Sequence, residues 1–173
     1  MDFFEAIEKR YSHKEGFLQE LVPPADLERI AKAGLAAPTG YNSQCVKLVI
    51  LHGHDEIKPL CDVVETEGLK TAQAAIAVLT DSKAHNNPYN FELEDYSAAA
   101  TQMLLAATAL GYSSLWLDSP YFDEEKQKAA LTALGASDRY HLRVVLPIGI
   151  PDGAGSRREK KPFDERVAYG RME

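Results

Sequence analysis

DYSAAATQMLLAATALG, from Asp95 to Gly111, decides how the rest of the chain is arranged. Ala98, Ala99, Ala100, Ala106, Ala107 and Ala109 are strong helix formers, and Met103, Leu104, Leu105 and Leu110 add apolar bulk. No proline interrupts the stretch. It predicts a helix of about four to five turns, with Asp95 near its positive end and Gly111 as its C-terminal cap. Apolar residues occur nearly all round, so the helix has no single wet face; it belongs in a core or between subunits. Its alanines let another backbone come close.

Working outward, the chain has 173 residues, which suits one domain spanning 1–173. At this size a domain buries roughly 70% of its unfolded surface, enough for a sizeable core. The formal charge of −7 disfavours general binding to nucleic acid or to an anionic membrane. No apolar run approaches the roughly 18 residues of a membrane span. The start MDFFEAIEKR lacks the basic and then apolar pattern of a signal peptide. Cys45 and Cys61 do not make a disulfide framework. A cytoplasmic protein is expected, with no nucleic-acid or membrane partner.

On the N-terminal side, Phe3, Phe4 and Ile7 predict a short amphipathic helix over 2–9. In the segment after it, Arg10, Ser12 and Lys14 share one side if the chain is extended. Two cations and a hydroxyl on one side suit an anion; a solvated polar loop is the alternative. Pro23 and Pro24 open a second helix, 25–35, which runs out at Ala36-Ala37-Pro38. Thr39 to Gln44 is then a polar loop whose Asn and Gln carry both donors and acceptors. Such groups can bind the polar edge of a planar heterocycle, although a turn between helix and strand needs no function.

Strands are predicted at 46–51, 74–80, 113–117 and 140–150, with helices at 55–69 and 122–134 between them. The first of these strands is apolar enough to be buried on both faces. Residues 81–94, including Asn86, Asn87 and Pro88, form a polar loop long enough to be a lid. The tail carries Arg157, Arg158, Lys160 and Lys161, which suit phosphate capture or a solvated end. His52 and His54 are a weak metal pair, without a cysteine cluster or an HExxH pattern. There is no GxGxxG after the first strand, no Walker loop and no GxSxG. The alternation favours an α/β or α+β sandwich on one sheet. Redox chemistry would need a bound cofactor, since no side chain supplies it.

Four blocks in order carry a resemblance: Arg10-Tyr11-Ser12-His13-Lys14, Ala37-Pro38-Thr39-Gly40-Tyr41-Asn42-Ser43-Gln44, Asp95 to Trp116, and Pro147-Ile148-Gly149-Ile150-Pro151 with Lys160-Lys161-Pro162. Together they resemble the nitroreductase family of FMN-dependent oxidoreductases, in a compact form and over nearly the whole chain. The resemblance implies an α+β three-layer sandwich with a central mixed sheet flanked by helices. It implies a homodimer that binds FMN at the subunit interface, with a C-terminal arm of about 156–173 wrapping the partner. By position, Arg10 and Ser12 contact the FMN phosphate or ribityl chain, Tyr11 is counted with them as cofactor-binding, and Arg158 and Lys160 close over the phosphate. Lys14 lies near the pyrimidine edge of the flavin and tunes it. Pro38, Thr39, Asn42 and Gln44 come from the partner chain, and Asp118 and Ser119 face the flavin centre.

The implied activity is reduction of a nitroaromatic, quinone or related small-molecule acceptor by NAD(P)H, in ping-pong fashion. A flavin-binding protein without efficient turnover is the alternative. Cys45 and Val46 stand where the family has Pro-Trp, and Asp118 and Ser119 replace glycines. The shortness of the chain implies an open substrate pocket.

Overall fold

The computed structural model describes residues 1–84 and 88–171. A four-stranded sheet lies at its centre, in the order β1-β2-β4-β3: Val46–His52, Ala74–Asp81, Tyr140–Gly149 and Ser113–Ser114. The helices are α1 (Phe3–Lys9), α2 (Pro24–Leu35), α3 (His54–Cys61), α4 (Glu67–Thr71), α5 (Glu92–Ala109) and α6 (Glu124–Ala133).

The sheet is covered on both sides, and β2 shows why. All eight of its residues are buried. Ala75, Ala77 and Leu79 join Leu51, Ile57, Leu60, Leu69 and Leu131 in one core, beneath α3, α4 and α6. Ala74, Ile76 and Val78 join Leu27, Ile30, Met103 and Ala107 in the other, beneath α2 and α5. Alternate residues of a strand face opposite ways, so one run of small and branched side chains feeds two cores. The expected three-layer α+β sandwich is present.

Several local expectations are corrected. The strand pairs are all antiparallel, and the mixed character is confined to an isolated parallel bridge between Ser12 and Ser114. β1 is an edge strand with Lys47 and Ile50 exposed, rather than a strand buried on both faces. The run 113–117 pairs regularly only at Ser113 and Ser114, with a further bridge from Leu117 to Val145. The single helix expected over 55–69 is two, because the Thr66 side chain caps a new start by accepting from the Leu69 amide.

The central helix starts at Glu92, three residues before Asp95, and ends at Ala109 with Leu110 as its cap, after which Gly111 adopts φ +93°. Its inner face, including Tyr96, Ala99, Ala100, Met103 and Ala107, is buried. Leu93, Thr101 and Ala109 are exposed, with Ala98, Leu105 and Ala106 half-buried. The outer strip, which mixes Leu93, Leu105 and Ala109 with Glu94, Ser97 and Thr101, is therefore uncovered within one chain. α2 lies close against the inner face: a Cβ on Gly34 would stand 2.6 Å from Met103 Cγ. No described helix is long and apolar enough to cross a membrane.

Candidate functional site

α1 ends at Arg10, whose φ of −62° and ψ of 127° turn the chain into extended backbone. Ser12 then bridges Ser114, and the His13 amide donates to the Ser114 carbonyl at 2.9 Å. The His13 ring is fully buried. Its Nε2 lies 2.8 Å from the Gly16 carbonyl, and the ring packs between Tyr11 and Phe17. With His13 turned inward, Ser12 and Lys14 take the opposite side of the extended segment.

The chain leaving β4 returns along this segment. The Leu18 amide donates to the Ile150 carbonyl, and the Asp152 amide to the Gly16 carbonyl, both at 2.9 Å. At Gly155 the tail crosses Tyr11 so closely that a Cβ there would overlap the ring. This crossing brings Ser156, Arg157, Arg158 and Lys160 beside Arg10, Tyr11, Ser12, Lys14 and Glu15 around a cleft of about 480 Å³. Five of these nine residues are cationic and one is acidic. Its own amide and that of Lys14 hold the Glu15 carboxyl below the usual range, so it stays ionised at neutral pH. A strongly positive cleft on a chain of formal charge −7 suits an anion. Guanidinium forks, an ammonium and a hydroxyl are the donors a phosphate monoester takes.

A second cleft, of about 710 Å³, lies at the end of α2. Pro38, Thr39, Asn42 and Gln44 line it, together with Val46 and Leu48 of β1 and Ala99 of α5. Its loop is held by Asp95, which is 2% exposed. The Asp95 carboxylate accepts from the Gly40 amide at 2.8 Å, the Ser43 hydroxyl at 2.9 Å and the Cys45 thiol at 3.2 Å. Tyr41, Asn42 and Gln44 have φ of 52°, 53° and 49°, in the left-handed region. Non-glycine residues held there cost on the order of 1–3 kcal/mol each and persist only where the surroundings over-determine them. Phe91 supplies further constraint by packing where a Cβ of Gly40 would stand. Burial, and then the Asp95 carboxylate, push the Cys45 thiol up to about 11, so it is no nucleophile. Amide and hydroxyl groups over an apolar floor fit the edge and face of a planar heterocycle.

The residues singled out in the sequence thus fall into two groups. Arg10, Tyr11, Ser12, Lys14, Arg158 and Lys160 border the basic cleft; Pro38, Thr39, Asn42 and Gln44 border the second. Asp118 and Ser119 border neither of these clefts. Asp118 precedes a short 3-10 turn at Ser119–Phe122 and its carbonyl accepts from the Tyr121 amide at 2.9 Å. Sequence reasoning missed Glu15 and Ser156 as lining residues and missed the anchoring role of Asp95. It signalled Arg157 only as one charge in a basic tail.

His52 Nε2 lies 3.0 Å from the Val22 carbonyl. Among the described residues no group of three or more His, Cys, Asp or Glu side chains is placed to hold a metal ion. Of the segment 81–94, Asn86 and Asn87 lie outside the described residues, and its last three residues belong to α5.

Comparison with known proteins adds the following. The sequence profile of the Nitroreductase family matches residues 7–70 and 59–150. A protein of Archaeoglobus fulgidus carrying the name "Putative NADH dehydrogenase/NAD(P)H nitroreductase" is 34% identical over 141 residues, 81% of this chain and 77% of its own. Among solved structures, a "putative nitroreductase in complex with FMN" from Desulfovibrio desulfuricans superposes with a TM-score of 0.85 at 25% identity. That match covers 99% of this chain and 98% of the other. A nitroreductase family protein from Clostridium difficile 630 gives a TM-score of 0.83 at 25% identity, covering 99% and 100%.

Proposed function

The chain belongs to the nitroreductase family, and from that premise we propose that it is an FMN-dependent oxidoreductase, active as a homodimer. Electrons pass from NAD(P)H to a nitroaromatic or quinone acceptor in two alternating half-reactions. For a quinone the balance is one NAD(P)H and one proton consumed, with NAD(P)⁺ and the hydroquinone formed. When bound, FMN supplies the two-electron chemistry that no side chain here can supply.

The single observation that carries this reading is the basic cleft, where five cations gather against one acid. In this assignment Arg10, Arg158 and Lys160 hold the phosphate and Ser12 donates to it or to the ribityl chain. Tyr11 fixes the tail through its contact at Gly155. Lys14 presents an ammonium at the pyrimidine edge, where it stabilises negative charge. Pro38, Thr39, Asn42 and Gln44 of the partner subunit position and cover the ring. Asp118 and Ser119 are assigned to the ring's centre through the family resemblance.

The dimer is supported by three uncovered surfaces on one protomer. They are the outer strip of α5; Phe3 and Phe4 of α1, 64% and 73% exposed; and the tail, in which residues 156–171 are all exposed. The two groups of candidate site residues lie in separate clefts, which suits a site completed by a second chain.

The absorption spectrum of the purified protein tests the reading. Flavin bands that bleach on addition of NADH or NADPH and return with a quinone are expected. Flavin bands that neither nucleotide bleaches would leave a flavin carrier instead. Absence of bands after incubation with FMN would overturn the cofactor assignment.

A further inference from the structure

We propose that His13 is a positioning residue for the phosphate end of the basic cleft: it fixes the Gly16 carbonyl to which the tail is tied, and so sets the reach of Arg158 and Lys160. The proposal rests on the cofactor assignment above and adds to it a residue that the assignment does not use. His13 stands between Ser12 and Lys14, which line the cleft, yet its own side chain is fully buried. Its ring neighbour Phe17 belongs to the apolar core. An imidazole buried there costs stability unless its nitrogens are satisfied, and an aliphatic side chain would fill the space without that demand. What sets histidine apart at this position is therefore what its two nitrogens hold.

Nε2 lies 2.8 Å from the Gly16 carbonyl oxygen. A carbonyl only accepts, so Nε2 carries the proton and donates. The same oxygen accepts from the Asp152 amide at 2.9 Å. One carbonyl thus receives two hydrogen bonds, one from the buried ring and one from the tail. The Phe17 bridge to Pro151 and the Leu18 amide on Ile150 continue this pairing away from the cleft. The bond from Asp152 is the one nearest the crossing at Gly155, and a carbonyl already oriented by His13 keeps that end from fraying. Gly155 has no positive φ, so its missing side chain serves close approach to Tyr11 and not backbone freedom. Arg158 and Lys160 follow directly on the cleft wall. The other ring nitrogen, Nδ1, faces the Tyr11 hydroxyl and the Glu15 carboxylate, each at 3.5 Å. Both of those residues line the cleft as well. His13 therefore meets the ring under the crossing, the carbonyl that ties the tail, and the acid of the cleft.

The test titrates flavin-free protein with FMN and with riboflavin, which has the same ring and ribityl chain but no phosphate. The measured quantity is the preference for FMN, the ratio of the two dissociation constants, in wild type, His13→Gln, His13→Asn and Gly155→Ala. Glutamine carries an amide N–H at the reach of Nε2, whereas asparagine is one bond shorter and stops short of the Gly16 carbonyl. His13→Asn should lower the preference about tenfold, equivalent to about 1.4 kcal/mol, with riboflavin affinity unchanged. His13→Gln should keep the wild-type preference. Gly155→Ala, which leaves the core untouched, should lower it as His13→Asn does. Equal loss of FMN and riboflavin in His13→Asn overturns the proposal and leaves His13 a packing residue. So does equal loss of preference in the glutamine and asparagine variants. If His13→Asn does not fold, Gly155→Ala decides: an unchanged preference there overturns the proposal.

Amide hydrogen exchange on the same proteins needs no flavin and separates this proposal from the reading beneath it. The Asp152 amide should exchange faster in His13→Asn than in wild type or His13→Gln. If wild type bound neither flavin, that difference would keep the tie between His13 and the tail and discard the cofactor assignment. Equal exchange would discard both.

Discussion

The Asp95 carboxylate accepts three hydrogen bonds from the loop at residues 40–45 while it sits in the first turns of α5. A carboxylate there favours the positive end of the helix, and that part was legible in the sequence. The anchoring role was not, because its partners lie 50 to 55 residues away in the chain and no local pattern joins them. Asp95→Ala leaves the Gly40 amide and the Ser43 hydroxyl without their acceptor. It is expected to cost about 3 kcal/mol and lower Tm by about 6–12 °C. Asp95→Asn keeps one acceptor oxygen and should recover part of the loss in the same thermal scan. Lys14 is the opposite kind of residue: exposed, and easily named from its spacing to Arg10 and Ser12. Under the proposed function its charge matters more to the reduced cofactor than to the oxidised one. Lys14→Met is then expected to lower the midpoint potential by on the order of tens of millivolts, where 30 mV is about 1.4 kcal/mol for a two-electron couple. Equal potentials in a spectroelectrochemical titration would remove Lys14 from the mechanism.

At the scale of elements, the sequence was most legible where local propensity and tertiary packing agree. The alanines of α5 and the apolar run of β2 are such places. It was least legible where a distant partner decides, as in the antiparallel pairing and the irregularity of β4. The register there passes from Leu79 opposite Leu142 to Val78 opposite Val144, so Arg143 is the extra residue of a bulge. The bulge aims Arg143 at Thr80 and Glu92: its Nε donates to the Thr80 hydroxyl at 2.8 Å, and its guanidinium pairs with the Glu92 carboxylate. Thr80 also donates to Glu92 at 2.5 Å. One network thus ties β2, β4 and the first residue of α5 together. Burial raises the Glu92 pKa, but Thr80 and Arg143 together more than offset it, so the group sits below its ordinary value of 4.5. A carboxylate depressed on folding contributes stability that is fully present above its unfolded value and is lost as pH falls through the folded one. Acid should therefore weaken the protein progressively below about pH 4.5. Denaturant titrations of Glu92→Gln should show lower stability at pH 7 and a flatter acid limb than wild type. An acid limb of wild-type steepness would assign the pH dependence elsewhere.

At the scale of the whole molecule, the core was legible, and the proposed dimer rests on the apolar helix and on the family resemblance. A helix apolar on all sides says that something must cover it, but not whether the cover is a sheet or a second chain. Here α2 and the sheet cover one face and leave Leu93, Thr101 and Ala109 open. In the tail, Phe163 and Tyr169 are 66% and 90% exposed. An obligate interface of the usual class buries more than roughly 2,000 Å². Sedimentation at micromolar concentration is expected to give twice the 19.1 kDa of one chain, and removal of residues 157–173 should weaken both the dimer and FMN retention. A 19.1 kDa species alone would exclude the dimer. If the proposed dimer builds each site from the two clefts of different chains, their separation on one protomer has a genetic consequence. Pair one chain disabled in the basic cleft, Arg10→Ala with Lys160→Ala, with another disabled in the loop, Asn42→Ala with Gln44→Ala. In a hybrid of the two, one composite site inherits all four lesions and the other inherits none. Two inactive parents should therefore yield active progeny when co-expressed, with half the normal number of working sites in each hybrid. Intragenic complementation of this kind fails for any enzyme whose sites are complete within a single chain.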